Sequence, residues 1–243
     1  MLTAGRSRVE YADAFEAEAK RTYPVIDALE IRLGYALSPS RYLPAAEVLA
    51  CPVKKDKHGQ LRQVALWQHG RVLYALARER FVGLEDVTVL DIGTAKGYSA
   101  LCVLWALMDT DCGGMVHSVD VLDPLARIPR HTVAEVDGLK TLAEFLSPWP
   151  EAQRIQFHQS TGIAWLEQHE DWLPFVYVDG KHTAAVVRRE SELIRHRQRA
   201  GDVTVFDDVQ IPDVATVLAR LGGYDIEYVR PTKDRAYAIA RRQ

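Results

Sequence analysis

The stretch from Val87 to Ala100, VTVLDIGTAKGYSA, constrains this chain more than any other. A β-branched apolar run ends in an acid, a glycine turn follows, and apolar residues then resume. The pattern predicts a strand over residues 87–91, a turn over 93–97 and a helix from about Tyr98. A strand that turns directly into a helix opens a βαβ unit, and such units build parallel sheets covered by helices on both faces. Gly93 lets the backbone turn sharply, and Gly97 lets a ligand approach the chain closely.

The rest of the chain repeats this alternation. Strands are expected over residues 115–120, 154–158, 175–179 and 203–208. Helices are expected over 132–145, 163–169, 183–199 and 214–221, with Pro148, Pro150, Gly201 and the Gly222-Gly223 pair as stops. Strands at 224–230 and 236–240, joined by a short turn, predict an antiparallel hairpin at one sheet edge. Upstream, residues 11–22, 25–37 and 64–80 carry helical spacing. Residues 38–63 read as a loop or lid-like connection, broken by Pro39, Pro44, Pro52 and Gly59 and made polar by Lys54, Lys55 and Lys57. The expected architecture is a doubly wound α/β domain over residues 81–243 with an N-terminal helical extension over residues 1–80.

Charge and cysteine usage narrow the function. A net charge of −3 argues against a general nucleic-acid binder. Cys51, Cys102 and Cys112 form neither a metal pattern nor a disulfide framework, which fits a reducing compartment. The N-terminus lacks a signal-peptide core, and no apolar run is long enough to span a membrane. These features predict a cytoplasmic enzyme with a small-molecule partner; a homo-oligomer stays open.

In doubly wound folds the chemistry lies at the carboxyl ends of the strands. Those ends carry Asp91 with its glycine turn, Asp120 with Asp123 nearby, Gln159-Ser160-Thr161, Asp179-Gly180-Lys181-His182, and Asp207-Asp208. The glycine order is not the G-x-G-x-x-G of a dinucleotide site. Asp120 can accept hydrogen bonds from two vicinal hydroxyls, as on a ribose. Asp179, Asp207 and Asp208 should end neighbouring strands, where like charges repel unless a cation or a proton intervenes. Three carboxylates suit Mg²⁺, a hard ion that prefers oxygen. His182 has the right range to take a hydroxyl proton near neutrality, and Lys181 could do so with a depressed pKa.

The order Asp91-x-Gly93-x-x-x-Gly97-Tyr98-Ser99 resembles motif I of the class I S-adenosylmethionine (SAM)-dependent methyltransferases. Its Gly97-Tyr98-Ser99-Ala100 ending is similar to the small-molecule O-methyltransferases of the catechol and caffeoyl-CoA type. The resemblance covers residues 64–240, roughly three-quarters of the chain. It implies a Rossmann-like fold with a seven-stranded, mostly parallel sheet. It also implies cofactor contacts from Asp91, Gly93, Thr94, Ala95, Gly97, Tyr98 and Ser99 on the methionine side. Asp120 would then meet the ribose, Ser160 the adenine, and Asp179 the border with the metal. The metal-dependent members hold Mg²⁺ with an acid after the fourth strand and a pair after the fifth, matching Asp179, Asp207 and Asp208. Asp208 stands where the catechol type carries Asn. The Asp179-Gly180-Lys181-His182 run resembles the sugar and macrolide O-methyltransferase group, whose His is a proposed general base.

The expectation is therefore a Mg²⁺-dependent O-methyltransferase acting on a small hydroxylated molecule: a sugar, a polyketide or a catechol-like compound. Two other readings are a nicotinamide-dependent oxidoreductase and a catalytically inactive SAM-binding module that assists a partner. His117 and His158 read as packing residues, and Trp67 and Tyr74 as core. The arginines between Arg188 and Arg199 read as a solvated helix face on which Glu190 and Glu192 pair locally. Gln68 and His69 are weak candidates for acceptor contact. The acceptor pocket is expected from residues 38–63, the N-terminal helices and the loop over 122–131.

Overall fold

The structure, a computed structural model, describes residues 23–50, 68–128, 139–232 and 235–243, with the backbone of 53–55 and 61–63. Helix α1 (Pro24–Leu33) ends at Gly34, whose φ of 79° closes it in the left-handed region. It is shorter than the 25–37 expected, while the helix expected over 11–22 lies outside the described residues. Residues 38–63 are not the plain loop expected. Helix α2 (Pro39–Ala45) and a π-helical turn (Ala46–Ala50) come first, followed by an antiparallel pair, β1 (Val53–Lys55) and β2 (Leu61–Gln63). Pro39 sits in the first turn of α2, where its missing N–H costs nothing, so it starts a helix instead of breaking one.

Helix α3 (His69–Phe81) leads into β3 (Asp86–Ile92), the glycine turn and α4 (Tyr98–Asp109). Then come β4 (Gly113–Asp120), α5 (Leu142–Leu146), β5 (Ile155–Gln159), α6 (Gly162–Gln168) and β6 (Phe175–Val178). Helix α7 (Ala184–Arg195), β7 (Val203–Phe206), α8 (Pro212–Leu218), β8 (Tyr224–Thr232) and β9 (Arg235–Arg242) complete the order. Helix α5 is capped by Thr141 and Glu144 in a reciprocal pair; of the helix expected over 132–145, residues 132–138 lie outside the described residues and the described part is helical only from Leu142.

The seven-stranded sheet runs β5-β4-β3-β6-β7-β9-β8. The first five strands are parallel, and β9 is antiparallel to both of its neighbours. From β3 the chain steps outward through β4 to β5, then returns to β6 on the other side. The sheet therefore reverses direction of growth between β3 and β6, and a crevice opens there at the carboxyl ends. Strands β6 and β7 are buried at every position, as expected of a parallel sheet covered on both faces.

Two apolar clusters fill the layers. One joins α1, α3 and α4 to the sheet through residues such as Ile26, Leu73, Phe81 and Trp105. The other holds α6, α7 and α8 through Trp165, Val187, Ile194 and Val214. On that second face His117 and His158 bond to each other at 3.0 Å beside Trp165, and His169 stacks on the indole at 4.1 Å. Tyr74 is buried in the first cluster. No described helix is long and apolar enough to cross a membrane.

Candidate active site

The turn after β3 is fixed by three constraints. Gly93 has φ 103°, and a Cβ there would meet the Asp179 carbonyl oxygen at 2.4 Å, so only glycine lets β3 and β6 approach this closely. Ala95, at φ 44°, is held in the left-handed region while its N–H donates to Asp120 Oδ2 at 3.0 Å. Below the turn, Ser118 donates to Asp91 at 2.5 Å and its hydroxyl shares a 2.7 Å bond with Thr94. Burial pushes the Asp91 carboxyl up to about 6. Asp91 lines neither of the cavities described next; it supports the turn from beneath.

Two cavities open at the crevice. The larger, of about 550 Å³, is lined by the ends of β3, β4, β5 and β6, including Gly93, Asp120, Ser160, Asp179 and Lys181. Leu122 N–H holds Asp120 Oδ1 at 3.0 Å, so both oxygens of Asp120 are oriented and each keeps a free lone pair for a ligand. The smaller, of about 120 Å³, is lined by Leu49, Ala50, His69, Thr94, Ala95, Lys96, Tyr98, Ser99, Asp208 and Arg235. Gly93 and Asp179 line both. Of the turn residues expected at the cofactor, Gly93 reaches the larger cavity, while Thr94, Ala95, Tyr98 and Ser99 face the smaller one. Gly97 lines neither; it faces the Leu146 side chain. His69 stacks on Tyr177 at 6.0 Å and meets Tyr98 edge-on, which gives the smaller cavity an aromatic wall. Leu49, Ala50 and His69 come from the segments expected to build an acceptor pocket; residues 129–138 lie outside the described residues.

The acids divide in a way their spacing did not announce. Asp207 is buried and turns inward: Tyr177 donates to it at 2.5 Å, and Arg235 pairs with it. Arg235 also donates to Asp208 at 2.6 Å. Burial and the charge of Asp179 push the Asp207 carboxyl up, and Arg235 opposes them. Asp208, at φ 52°, turns the other way toward His182. His182 Nε2 lies 3.4 Å from Asp179 and its Nδ1 3.7 Å from Asp208. The pairing with Asp179 holds the imidazole above its usual range. Ligand atoms of Asp179, His182 and Asp208 all fall within 4.8 Å of one another, close enough to share one ion. Of the expected set, Asp179 and Asp208 come together with His182, while Asp207 is paired with Arg235 and Tyr177.

A carboxylate next to a glycine turn, a neck where the two cavities share Gly93 and Asp179, and an imidazole paired with that Asp179 suit group transfer between two bound molecules. Residues 90–209, the part that builds both the turn and the acid cluster, match the methyltransferase domain family. No curated protein matches the sequence. Solved structures share the fold at low identity. An S-adenosylhomocysteine (SAH)-bound methyltransferase of Podospora anserina is 13% identical with a TM-score of 0.57, over 89% of this chain and 95% of that one. An O-methyltransferase of Bacillus cereus in complex with SAH is 13% identical with a TM-score of 0.55, over 85% and 92%. An rRNA methylase of Streptococcus thermophilus is 10% identical with a TM-score of 0.52, over 71% and 95%. Residues 90–209 thus form a methyltransferase domain on the class I methyltransferase fold, and the protein is a SAM-dependent methyltransferase.

Proposed function

We infer that the acceptor is a hydroxyl group of a small molecule and that the protein is an O-methyltransferase. The observation that carries this reading is His182, half-buried between Asp179, which lines both cavities, and Asp208, which lines the smaller one. In the larger cavity Asp120 accepts the ribose hydroxyls, and the methionine arm runs past Gly93. SAM held there would present its methyl group beside Asp179, with an acceptor in the smaller cavity against His69 and Tyr98. His182 takes the hydroxyl proton as the oxygen attacks the methyl carbon in line. The carbon–sulfur bond breaks, and sulfur leaves as the neutral thioether of SAH. Holding the two reactants in this geometry supplies most of the acceleration. Lys181, exposed at the rim of the larger cavity, is the second candidate base.

The donor set fits a divalent cation such as Mg²⁺ through Asp179 and Asp208, with His182 beside it. Such an ion would acidify the acceptor hydroxyl and fix its direction of attack. Arg235 already neutralises part of the cluster, so the chain contributes a fixed positive charge there. The 120 Å³ volume of the smaller cavity favours a small acceptor over a folded nucleic acid.

Titration of SAH by calorimetry with and without Mg²⁺, followed by methyl transfer from SAM to a panel of sugar, phenol and catechol hydroxyls, tests the reading. Micromolar SAH binding and an O-methylated product are expected, with turnover lost in His182→Gln. Absence of SAH binding by the folded protein, or product methylated only on nitrogen or carbon, would overturn it.

A further inference from the structure

Helix α7 buries one acid that the mechanism above does not use. Glu190 is 2% exposed, and its Oε2 has no hydrogen-bond partner among the described residues. It lines the larger cavity beside Ser160, Thr161, Gly162 and Val186. Gly162 faces it so closely that a Cβ there would lie 2.4 Å from Glu190 Oε1, so the absence of a side chain at 162 is what admits the carboxyl. Burial raises the Glu190 carboxyl to about 7, with His182 pulling the other way. An orphaned buried acid costs stability unless something outside the chain satisfies it.

The cavity leaves one part of the cofactor to meet that acid. The ribose belongs with Asp120 at the end of β4, and the methionine arm leaves past Gly93 toward the smaller cavity. The remaining volume, walled by Ser160 to Ile163, Val186 and Glu190, is left for the base. Adenine presents a donor, its 6-amino group, next to an acceptor, N1. A protonated carboxyl offers the complementary acceptor and donor, and an ionised one still accepts from the amino group.

We propose that Glu190 is a specificity-determining residue that reads the 6-amino edge of the SAM adenine from the floor of the larger cavity. It sits on the helix after β6, far in sequence from the glycine turn. The assignment rests on the placement of the ribose at Asp120.

The test is calorimetric binding of SAH, adenosine and purine riboside, which lacks only the 6-amino group, to the wild-type chain, Glu190→Gln and Glu190→Met. Wild type is expected to prefer adenosine over purine riboside by at least about tenfold, because the riboside leaves the buried acid unsatisfied. Glu190→Gln keeps an acceptor and a donor and should hold that preference. Glu190→Met should lose it, bind SAH about tenfold more weakly, and melt no lower than wild type, since an unpaired buried acid is gone. Equal affinity of wild type for the two nucleosides overturns the proposal even if Glu190→Met fails to fold. So does a Glu190→Met protein that keeps the preference. Failure of wild type to bind SAH at all removes the cofactor reading, and this proposal with it.

Discussion

The two cavities share Gly93 and Asp179 yet are built by different means. The larger one is made by the sheet: strand ends β3 to β6 supply its walls, and backbone N–H groups of Ala95 and Leu122 orient its acid. The smaller one is assembled from parts remote in sequence, Leu49 and His69 on one side and Arg235 on the other, closing over the same turn. The sheet that makes the larger cavity recurs in solved structures only 10–13% identical to this chain. A site made by additions to the fold can change freely, which is how one architecture serves acceptors as different as small molecules and RNA.

Four substitutions or conditions would break or sharpen that contrast. The largest effect is expected at Asp207. Its removal strands the Arg235 guanidinium in the interior, and breaking a buried pair costs about 3–5 kcal/mol. Thermal melting of Asp207→Ala should fall by roughly 10 °C, while Asp208→Ala, whose carboxylate faces the open neck, stays near wild type. Equal melting points would mean that the two acids do not differ as described. Next, Asp208→Ala should lower kcat by about 10²–10³-fold with SAH affinity unchanged, since it removes charge only at the neck. A matching loss of SAH affinity would show that the cavities are not separable.

Asp120→Ala works in the opposite direction. It should weaken SAH by about 10–100-fold, the worth of charge-assisted bonds to two hydroxyls, and leave kcat at saturating SAM within a few-fold. The smallest effect concerns pH. Glu190, with a folded value of about 7 against 4.5 unfolded, takes up its proton in the folded state first. Stability of the ligand-free chain should therefore rise as pH falls from 8 to 6, by about 1 kcal/mol from this group, and decline again as pH rises through 7. Denaturant melts of wild type and Glu190→Gln at both pH values check this; the variant should have the shallower slope.

Much of the sheet was legible because its signals are local. Apolar runs ending in acids marked β3, β4, β6 and β7, and Asp120 stood where a strand end needs a hydroxyl-binding acid. What escaped depended on direction and on distant partners. Asp207 and Asp208 are adjacent, so nothing in their spacing says which one turns inward; Arg235, 28 positions from Asp207, decides it. Glu190 looked like a member of a charged, solvated face because arginines precede it. Yet Val187, Glu190, Ser191 and Ile194 are the buried positions of α7, an i, i+3, i+4, i+7 stripe that was present in the sequence. Reading the stripe before the charges would have placed this acid inside. Pro39 misled in the opposite sense, as a stop where it serves as a start.

The insertion of β9 between β7 and β8 has a consequence in time. The cation that pairs with both acids is carried by the first residue of β9, which follows every other strand of this sheet in chain order. A growing chain that has completed β3 to β7 already owns the glycine turn and all three acids, but not their counter-charge. Until β9 threads into its slot, Asp207 has no reason to turn inward, and both acids of the pair are free to face the neck. The donor pocket can thus be ready while the acid pair still waits for the strand that closes the sheet.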